Sequence, residues 1–400
     1  MKIKKILIVD EGTGFGGSLI VAARLADSLD GEKFEPIIVT AMDINIARNH
    51  ISPDIQTIQL KKTFSYVKRD KITSLIESVK FKPLFILLII VLTLFENLVN
   101  ISYLLKLIFY IYKFKIDLIH VNNSKDALIA AKLTRRPCIQ HLHGWETPPD
   151  SKSARFYYKL PDAFIAISNT VKNAVVSGGA DSNKITVIYN PIATKNLLTT
   201  EERNSLRLKL RFNNDMITIA IFGRIIGWKG QLQFLKALKI LHDKDFKFNI
   251  LIVGDDGEGY DEEYSKSVKS FSKEHFSHSN IVYTGYVGNP EHYYQVCDLV
   301  IHASIKPEPF GLVITEAMQY SVPVIVSSIG AGEELIDNHV TGLISNPKDI
   351  ENLANCIEFL IKNPEERTRL AINGQKFVEE NMNPSDFAIK VASIYLKLIP

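Results

Sequence analysis

Twice along this chain a short, wholly apolar run ends in a glycine-bearing loop and leads into a helix-length segment. The first instance is Ile6–Val9, then DEGTGFGG at 10–17, then Ser18–Leu29. The second is Ile217–Phe222, then GRIIGWKG at 223–230, then Gln231–His242. An apolar run without alternation, closed by glycine and followed by a helix, reads as a strand buried on both faces. Such strands belong to parallel sheets covered by helices. The first series continues through Pro36–Thr40, Asp117–Val121, the helix-like KDALIAAKL, Cys138–His143, Ala163–Ile167 and Ile185–Tyr189. The second continues through Phe248–Val253, Ile281–Tyr283, Asp298–His302, Pro323–Val326 and Thr341–Ile344. The chain therefore reads as two successive α/β domains, as its 400 residues also require, since one core rarely serves so many. The break falls near Asn190-Pro191, ahead of the polar stretch ATKNLLTTEERNS, which separates 1–191 from 192–384. Ligands of open α/β sheets bind beyond the C-terminal strand ends. Two such domains facing each other would enclose a cleft lined by loops of both.

Gly12, Gly14 and Gly17 match G-x-G-x-x-G, the fingerprint of a dinucleotide site, and Asp43 follows the second strand where a ribose-binding acid would sit. The pattern alone is weak. A strand, a glycine turn and a helix N-terminus suit any phosphate ligand. Bulk properties narrow the field further. Apolar residues make up 46% and charged residues 23%, which is a folded composition, and a formal charge of +3 does not call for nucleic acid. Cys138, Cys297 and Cys356 are scattered and odd in number, with neither a disulfide framework nor zinc spacing, which fits a reducing cytoplasm. MKIKKILIVDEG has too short an apolar part for a signal peptide and reads as a first strand.

One region breaks the alternation. LFILLIIVLTLF at 84–95 and ISYLLKLIFYIY at 101–112 are nearly all apolar, separated by Glu96, Asn97 and Asn100. Neither half reaches the roughly 20 residues of a spanning helix. Thr93, Glu96, Asn97 and Asn100 share one side at helical spacing, with Ser102, Lys106 and Lys113 roughly opposite, which predicts two helices rather than one rod. Before them, 61–82 holds Lys61, Lys62, Lys68, Arg69, Lys71, Lys80 and Lys82 against Asp70 and Glu77. Basic residues beside apolar helices suit an anionic membrane surface. Two core helices with a solvated basic loop are the plainer alternative, and a true span is a third.

The strongest chemical signal is PEPFGLVITEAMQYSVPVIVS at 307–327. Glu308 falls in the loop after a strand, Gly311 at a helix start and Glu316 within that helix. The N–H groups of Gly311, Leu312 and Val313 would face an anion, and two carboxylates beside it suit a ligand rich in hydroxyls. Arg224 and Lys229, five apart in a loop after a strand, can bring two positive charges to one anion. The only D-x-D, Asp243-Lys244-Asp245, lies in a helix-to-strand turn, and Asp255-Asp256 is the other acidic pair weighed as a metal site.

The E-x7-E segment with its Pro-Val-Ile run resembles the donor-site signature of the retaining GT-B glycosyltransferases of family 4. Gly223-Arg224 with Lys229-Gly230 resembles that family's G-R-x4-K-G loop. IVGDDGEG at 252–259, SSIGAGEELI at 327–336 and VTGLI at 340–344 are similar to further family segments, with Ala331 in place of a second glycine. The resemblance runs over nearly the whole chain. It implies the GT-B fold, two Rossmann-like α/β/α domains facing across a cleft, the first for the acceptor and the second for the nucleotide-sugar donor. It also implies a last helix, 385–400, packing back on the first domain. Glu316 would bind the nucleotide ribose. Glu308, with the amides of Phe310, Gly311 and Leu312, would hold the donor sugar. His143 of QHLHGWE matches the histidine that contacts that sugar, and His141 is read as structural, as are Ser168, Asn190 and Pro191. Gly16 and Gly17 match the N-terminal turn that approaches the diphosphate, so Asp43 has no needed role.

The resemblance thus implies a retaining transfer of a hexose-type sugar from a UDP- or GDP-sugar to an acceptor hydroxyl. The working mechanism is front-face attack with no cofactor and no metal. The apolar and basic region favours a lipid-linked or cell-surface glycan acceptor and a peripheral position on the inner face of the membrane. A nucleotide-sugar 2-epimerase of the same architecture is the alternative, and an NAD-dependent oxidoreductase a remote one.

Overall fold

The computed structural model describes residues 2–12, 17–63, 72, 82–145, 151–193, 195–256, 261–276 and 281–399. Gly14 and Gly16, the basic residues Lys68, Arg69, Lys71 and Lys80, the acids Asp70 and Glu77, and 257–259 of the IVGDDGEG segment lie outside the described residues. The chain forms two compact units. One comprises Met1–Ile167, Val171–Ile188 and Pro384–Pro400, the other Ser168–Thr170 and Tyr189–Asn383.

The first unit is built on seven parallel strands: β1 (Lys4–Asp10), β2 (Phe34–Thr40), β3 (Gln56–Gln59), β4 (Leu118–Val121), β5 (Cys138–Leu142), β6 (Ala163–Ala166) and β7 (Ile185–Val187). They lie in the order β3-β2-β1-β4-β5-β6-β7. Sequence alone did not reveal β3. Its QTIQ has one large apolar residue, Ile58, which pairs with Val39 at the sheet edge. Ile6, Leu7, Ile8 and Val9 of β1 are all fully buried and feed two cores on opposite faces. Ile6 and Ile8 pack with the helix Gly17–Ser28 and with Phe387, Val391 and Tyr395 of the C-terminal helix Pro384–Leu398. Leu7 and Val9 pack with Tyr103, Leu107 and Ile111 and with Leu128 of the helix Lys125–Thr134. Ser124 caps that last helix, accepting from Ala127 N at 2.9 Å.

The apolar region is one helix, Lys82–Lys113, and not two. No glycine lies within it and its one proline, Pro83, is at the start, where proline is tolerated; asparagines alone do not break a helix that packing supports. Its orientation settles which side meets protein, a point the helical spacing left open. Asn100 is buried and Thr93 and Glu96 are half-buried, whereas large apolar side chains point outward. Tyr103, Leu107 and Ile111 anchor the C-terminal half to the unit's core. The basic flank divides likewise. Lys61 is exposed, but Lys62 is drawn inward between Glu11 at 2.7 Å and Asp126 at 2.5 Å.

The second unit has six parallel strands: β8 (Ile217–Phe222), β9 (Phe248–Val253), β10 (Ile281–Tyr283), β11 (Leu299–His302), β12 (Val324–Ser327) and β13 (Leu343–Ser345). Their order is β10-β9-β8-β11-β12-β13. The chain leaves β8 toward one side and returns at β11 on the other, with Ile221 level with Ile301. The loops after β8 and β11 therefore diverge at adjacent strand ends, the switch point where open α/β sheets bind ligands.

Candidate active site

Those two loops carry the charged residues singled out from the sequence. The loop after β8 begins at Gly223, whose φ of 127° is accessible to glycine, and ends at Gly230. A Cβ on Gly230 would stand 1.9 Å from Ala303 O, so glycine alone lets this loop press against the chain after β11. Ile305 N donates to Trp228 O at 2.8 Å, and Gln231 Nε2 donates to Arg224 O at 2.8 Å. Arg224 is thereby held by its backbone with its side chain exposed, while Lys229 is directed toward Glu308.

Glu308 is the centre of the site. Lys229 Nζ donates to both of its oxygens at 2.8 Å. His302 Nε2 lies 2.9 Å from Oε1, and Ser304 Oγ donates to the same oxygen. Burial by itself would raise the pKa of this carboxyl. The hydrogen bond from His302, followed by the charges of His302 and Lys229, outweighs burial and holds the group well below the usual carboxylate range. Glu308 is thus a fixed, buried carboxylate. The ammonium of Lys229 also lies 4.5 Å from the centre of the Trp228 ring, a cation–π contact. The chain after Glu308 is tied down by Ser168 Oγ, which donates to Pro309 O at 2.6 Å, and by Ala331 N, which donates to Glu308 O at 3.0 Å.

Phe310 is buried against Tyr189, and Gly311, with φ of 99°, turns the chain into the helix Leu312–Gln319. Ile314 N donates back to Gly311 O at 2.9 Å, and the N–H groups of Leu312 and Val313 ahead of it lie at the positive end of the helix dipole. Glu316, one turn further on, accepts from Tyr294 Oη at 2.9 Å. Tyr294 is fully buried, stacked on Phe222 at 4.0 Å, and burial together with Glu316 pushes its phenol well above its ordinary range. Tyr294 thus stays a donor and pins the carboxylate.

The structure therefore gathers Arg224, Lys229, Glu308, Phe310, Gly311, Leu312 and Glu316 at one end of the second sheet. Gly17, at the start of its helix, and His143, just past β5, stand at the corresponding end of the first sheet; Gly16 lies outside the described residues. His141 stacks on Phe387 in the first core. Sequence reasoning missed His302, Ser304, Trp228 and Tyr294. His302 was signalled only by an imidazole ending an otherwise apolar strand six residues before Glu308; Tyr294 had no local signal, because its partner is 22 residues away. Asp243 accepts from Lys239 at 2.6 Å and Asp256 from Lys269, and among the described residues no group of three His, Cys, Asp or Glu side chains could hold a metal.

Two family profiles match the chain and together cover most of it: Glycosyltransferase Family 4 over residues 15–196 and Glycosyl transferases group 1 over residues 202–377. The chain belongs to the family 4, group 1 glycosyltransferases. The resemblance read from E-x7-E and the G-R-x4-K-G loop is therefore confirmed, as is the GT-B class of this glycosyltransferase. The chain is similar to the capsular polysaccharide biosynthesis glycosyltransferase CapM of Staphylococcus aureus, at 27% identity over 73% of this chain and 80% of that one. It is also similar to the UDP-Gal:alpha-D-GlcNAc-diphosphoundecaprenol alpha-1,3-galactosyltransferase of Escherichia coli, at 24% identity over 66% of this chain and 69% of that one. The solved structure of Anabaena HepE in complex with UDP and glucose superposes with a TM-score of 0.77 at 22% identity, covering 99% of this chain and all of the other.

Proposed function

We propose that this glycosyltransferase moves a hexose from a UDP-sugar to a hydroxyl of a lipid-linked glycan, with retention and without a metal. The observation that carries the donor half is the Lys229–Glu308 pair beside the N-terminus of the helix Leu312–Gln319. It sets a cation and a helix dipole next to a buried carboxylate. The cation and dipole suit a diphosphate, and the carboxylate suits sugar hydroxyls. Arg224 adds a second charge for the departing diphosphate, Glu316 takes the ribose, and the amides of Phe310, Gly311 and Leu312 orient the sugar. His143 and the Gly16-Gly17 turn contribute the contacts that the family resemblance gives them. UDP is preferred to GDP because relatives named above act on or bind uridine nucleotides.

In this mechanism the bond from C1 of the sugar to the diphosphate oxygen breaks while the acceptor oxygen bonds C1 on the same face. The acceptor proton passes to the departing phosphate oxygen. Arg224 and Lys229 offset the charge that develops there.

The acceptor half rests on the helix Lys82–Lys113. Leu84, Leu87, Val91, Phe95, Leu98, Ile101, Leu105, Phe109 and Tyr112 are all exposed at steps of three or four residues. They form one apolar stripe about 42 Å long. The segment Leu87–Lys113 is long and apolar enough to cross a membrane by length and composition, but its inner face is committed to the first unit's core. An apolar stripe on such a helix, with Lys106 and Lys113 exposed along it, fits the interface of an anionic bilayer at the cytoplasmic face, where a lipid-linked acceptor presents its glycan.

Calorimetric titration with UDP and GDP in EDTA tests the donor half. Binding of UDP without metal supports it, and binding only with added Mg²⁺ overturns the metal-independent part. Transfer from a UDP-hexose to an undecaprenyl-diphosphate-linked sugar, with the product anomer read by NMR, tests retention and acceptor class. An epimerised sugar released without acceptor would instead identify a 2-epimerase.

A further inference from the structure

The first unit contains a line of buried imidazoles. Tyr395 Oη of the C-terminal helix lies 2.7 Å from His120 Nδ1 in β4. His120 Nε2 lies 3.1 Å from His141 Nδ1 in β5. The rings of His141 and His143 then lie 4.3 Å apart, tilted by 33°. Tyr395, His120 and His141 are at most 1% exposed. Two nitrogens of this group, His141 Nε2 and His143 Nε2, are buried and have no hydrogen-bond partner among the described residues. Buried polar atoms in folded proteins are nearly always paired, so a pair of adjacent orphans calls for a reason.

The hydrogen inventory runs in one direction. Burial keeps the Tyr395 phenol protonated, and a phenol can donate to His120 Nδ1 or accept from it; donation is the direction that gives the buried hydroxyl hydrogen a partner among the described residues, and the line is read with Tyr395 as its first donor. Burial also pushes His120 down to about 3 and His141 well below its ordinary value, so both rings are neutral with one hydrogen each. His120 Nδ1 accepts from Tyr395, so its own hydrogen is on Nε2. That hydrogen goes to His141 Nδ1, and His141 must then carry its hydrogen on Nε2. We propose that Tyr395 and His120 are positioning residues that fix this tautomer of His141, so that a donor edge rather than a lone pair stands beside His143. This rests on the reading of His143 as a ligand-contacting residue. It gives the C-terminal helix a part in the reaction through a hydrogen-bond chain that begins 252 residues beyond His143 in sequence.

The test uses the full chain with ¹⁵N-histidine, recording the two-bond ¹H–¹⁵N correlations that distinguish tautomers. Histidine-to-glutamine variants assign the signals. The expected spectrum places hydrogen on Nε2 of both His120 and His141. Hydrogen on Nδ1 of His141 overturns the proposal, and this needs no variant to fold. Tyr395→Phe keeps the ring and removes the first donor. It should disturb both tautomers and lower kcat roughly tenfold, one hydrogen bond's worth, with KM for the UDP-sugar unchanged. Unchanged tautomers, or a kcat within twofold of the parent even if stability falls, would show the hydroxyl to be structural only. His143→Ala separates the two ideas. If it cuts turnover while Tyr395→Phe does not, the relay fails and the reading of His143 stands. If it leaves turnover intact, the reading of His143 fails and the relay with it.

Discussion

Lys229→Met tests the centre of the site most directly. Methionine keeps the length of the stem and removes the charge. Glu308 Oε2 then loses the ammonium at 2.8 Å, while Oε1 keeps His302 at 2.9 Å and Ser304. A buried acceptor left unsatisfied costs about 1–3 kcal/mol, and breaking a fully buried ion pair about 3–5 kcal/mol. The side chains of Lys229 and Glu308 are 17% and 9% exposed, so the overlap of those ranges applies, about 3 kcal/mol. Glu308→Gln in the same chain removes the stranded charge, so the double variant should be more stable than the sum of the singles by about 2 kcal/mol. The chain has two tryptophans, Trp145 and Trp228. In a Trp145→Phe background, urea unfolding followed by fluorescence reports on Trp228, next to the substituted residue. A coupling below about 0.5 kcal/mol would refute the claim that Lys229 and Glu308 depend on each other, since independent sites add to within that margin. The catalytic half is separate. If Lys229 stabilises the departing diphosphate, turnover should fall about 10²–10³-fold, and near-normal turnover would remove it from the mechanism.

Other outcomes follow from the same geometry. Because the native pKa of Glu308 is depressed, the stability it contributes is complete above the unfolded value of about 4.3 and drains away as pH falls below it toward the native pKa. Glu308→Gln should therefore flatten the acid limb of a stability–pH curve, and an unchanged limb would contradict the assignment. Tyr294→Phe removes one donor from the Glu316 carboxylate and should weaken UDP binding about three- to tenfold in calorimetry, one hydrogen bond's worth, with little change in kcat. Gly230→Ala meets both a φ of +78° and Ala303 O and should cost about 3 kcal/mol or more, whereas Gly285→Ala, at φ +68° with nothing within 4 Å, should cost about 1 kcal/mol. Equal thermal shifts for the two would refute the close approach. Leu98→Asp with Leu105→Asp on the exposed stripe should leave unfolding within about 0.5 kcal/mol of the parent yet abolish cosedimentation with phosphatidylglycerol vesicles. Retained cosedimentation would dismiss the membrane role of this helix.

Much of the candidate site was legible because its residues sit close together in sequence and each has a local reason to be where it is. Gly311 starts a helix, Glu316 lies one turn inside it, and Arg224 and Lys229 occupy one loop. The environment of Glu308 was not legible. Lys229 reaches it only because β8 runs beside β11, His302 and Ser304 reach it because the chain after β11 folds back on its own strand end, and the depth at which the carboxylate is buried is a property of the packed sheet. Tyr294 and the Tyr395–His120–His141 line were hidden for the same reason, since their partners come from distant elements.

Periodicity by itself determined the two α/β units and most strand positions, because a parallel strand buried on both faces must be continuously apolar wherever it stands. It did not reveal β3, whose four residues at the sheet edge need little apolar surface. It also misjudged the region 84–112. Composition there was plain, but helix continuity and the direction of each face depend on what the helix packs against. Tertiary structure turned Asn100 inward and Leu98 outward, drew Lys62 from a basic flank into an ion pair with Glu11 and Asp126, and left an apolar stripe exposed. A local pattern records which side chains share a side of a helix; only the packed domain decides which of those sides meets protein.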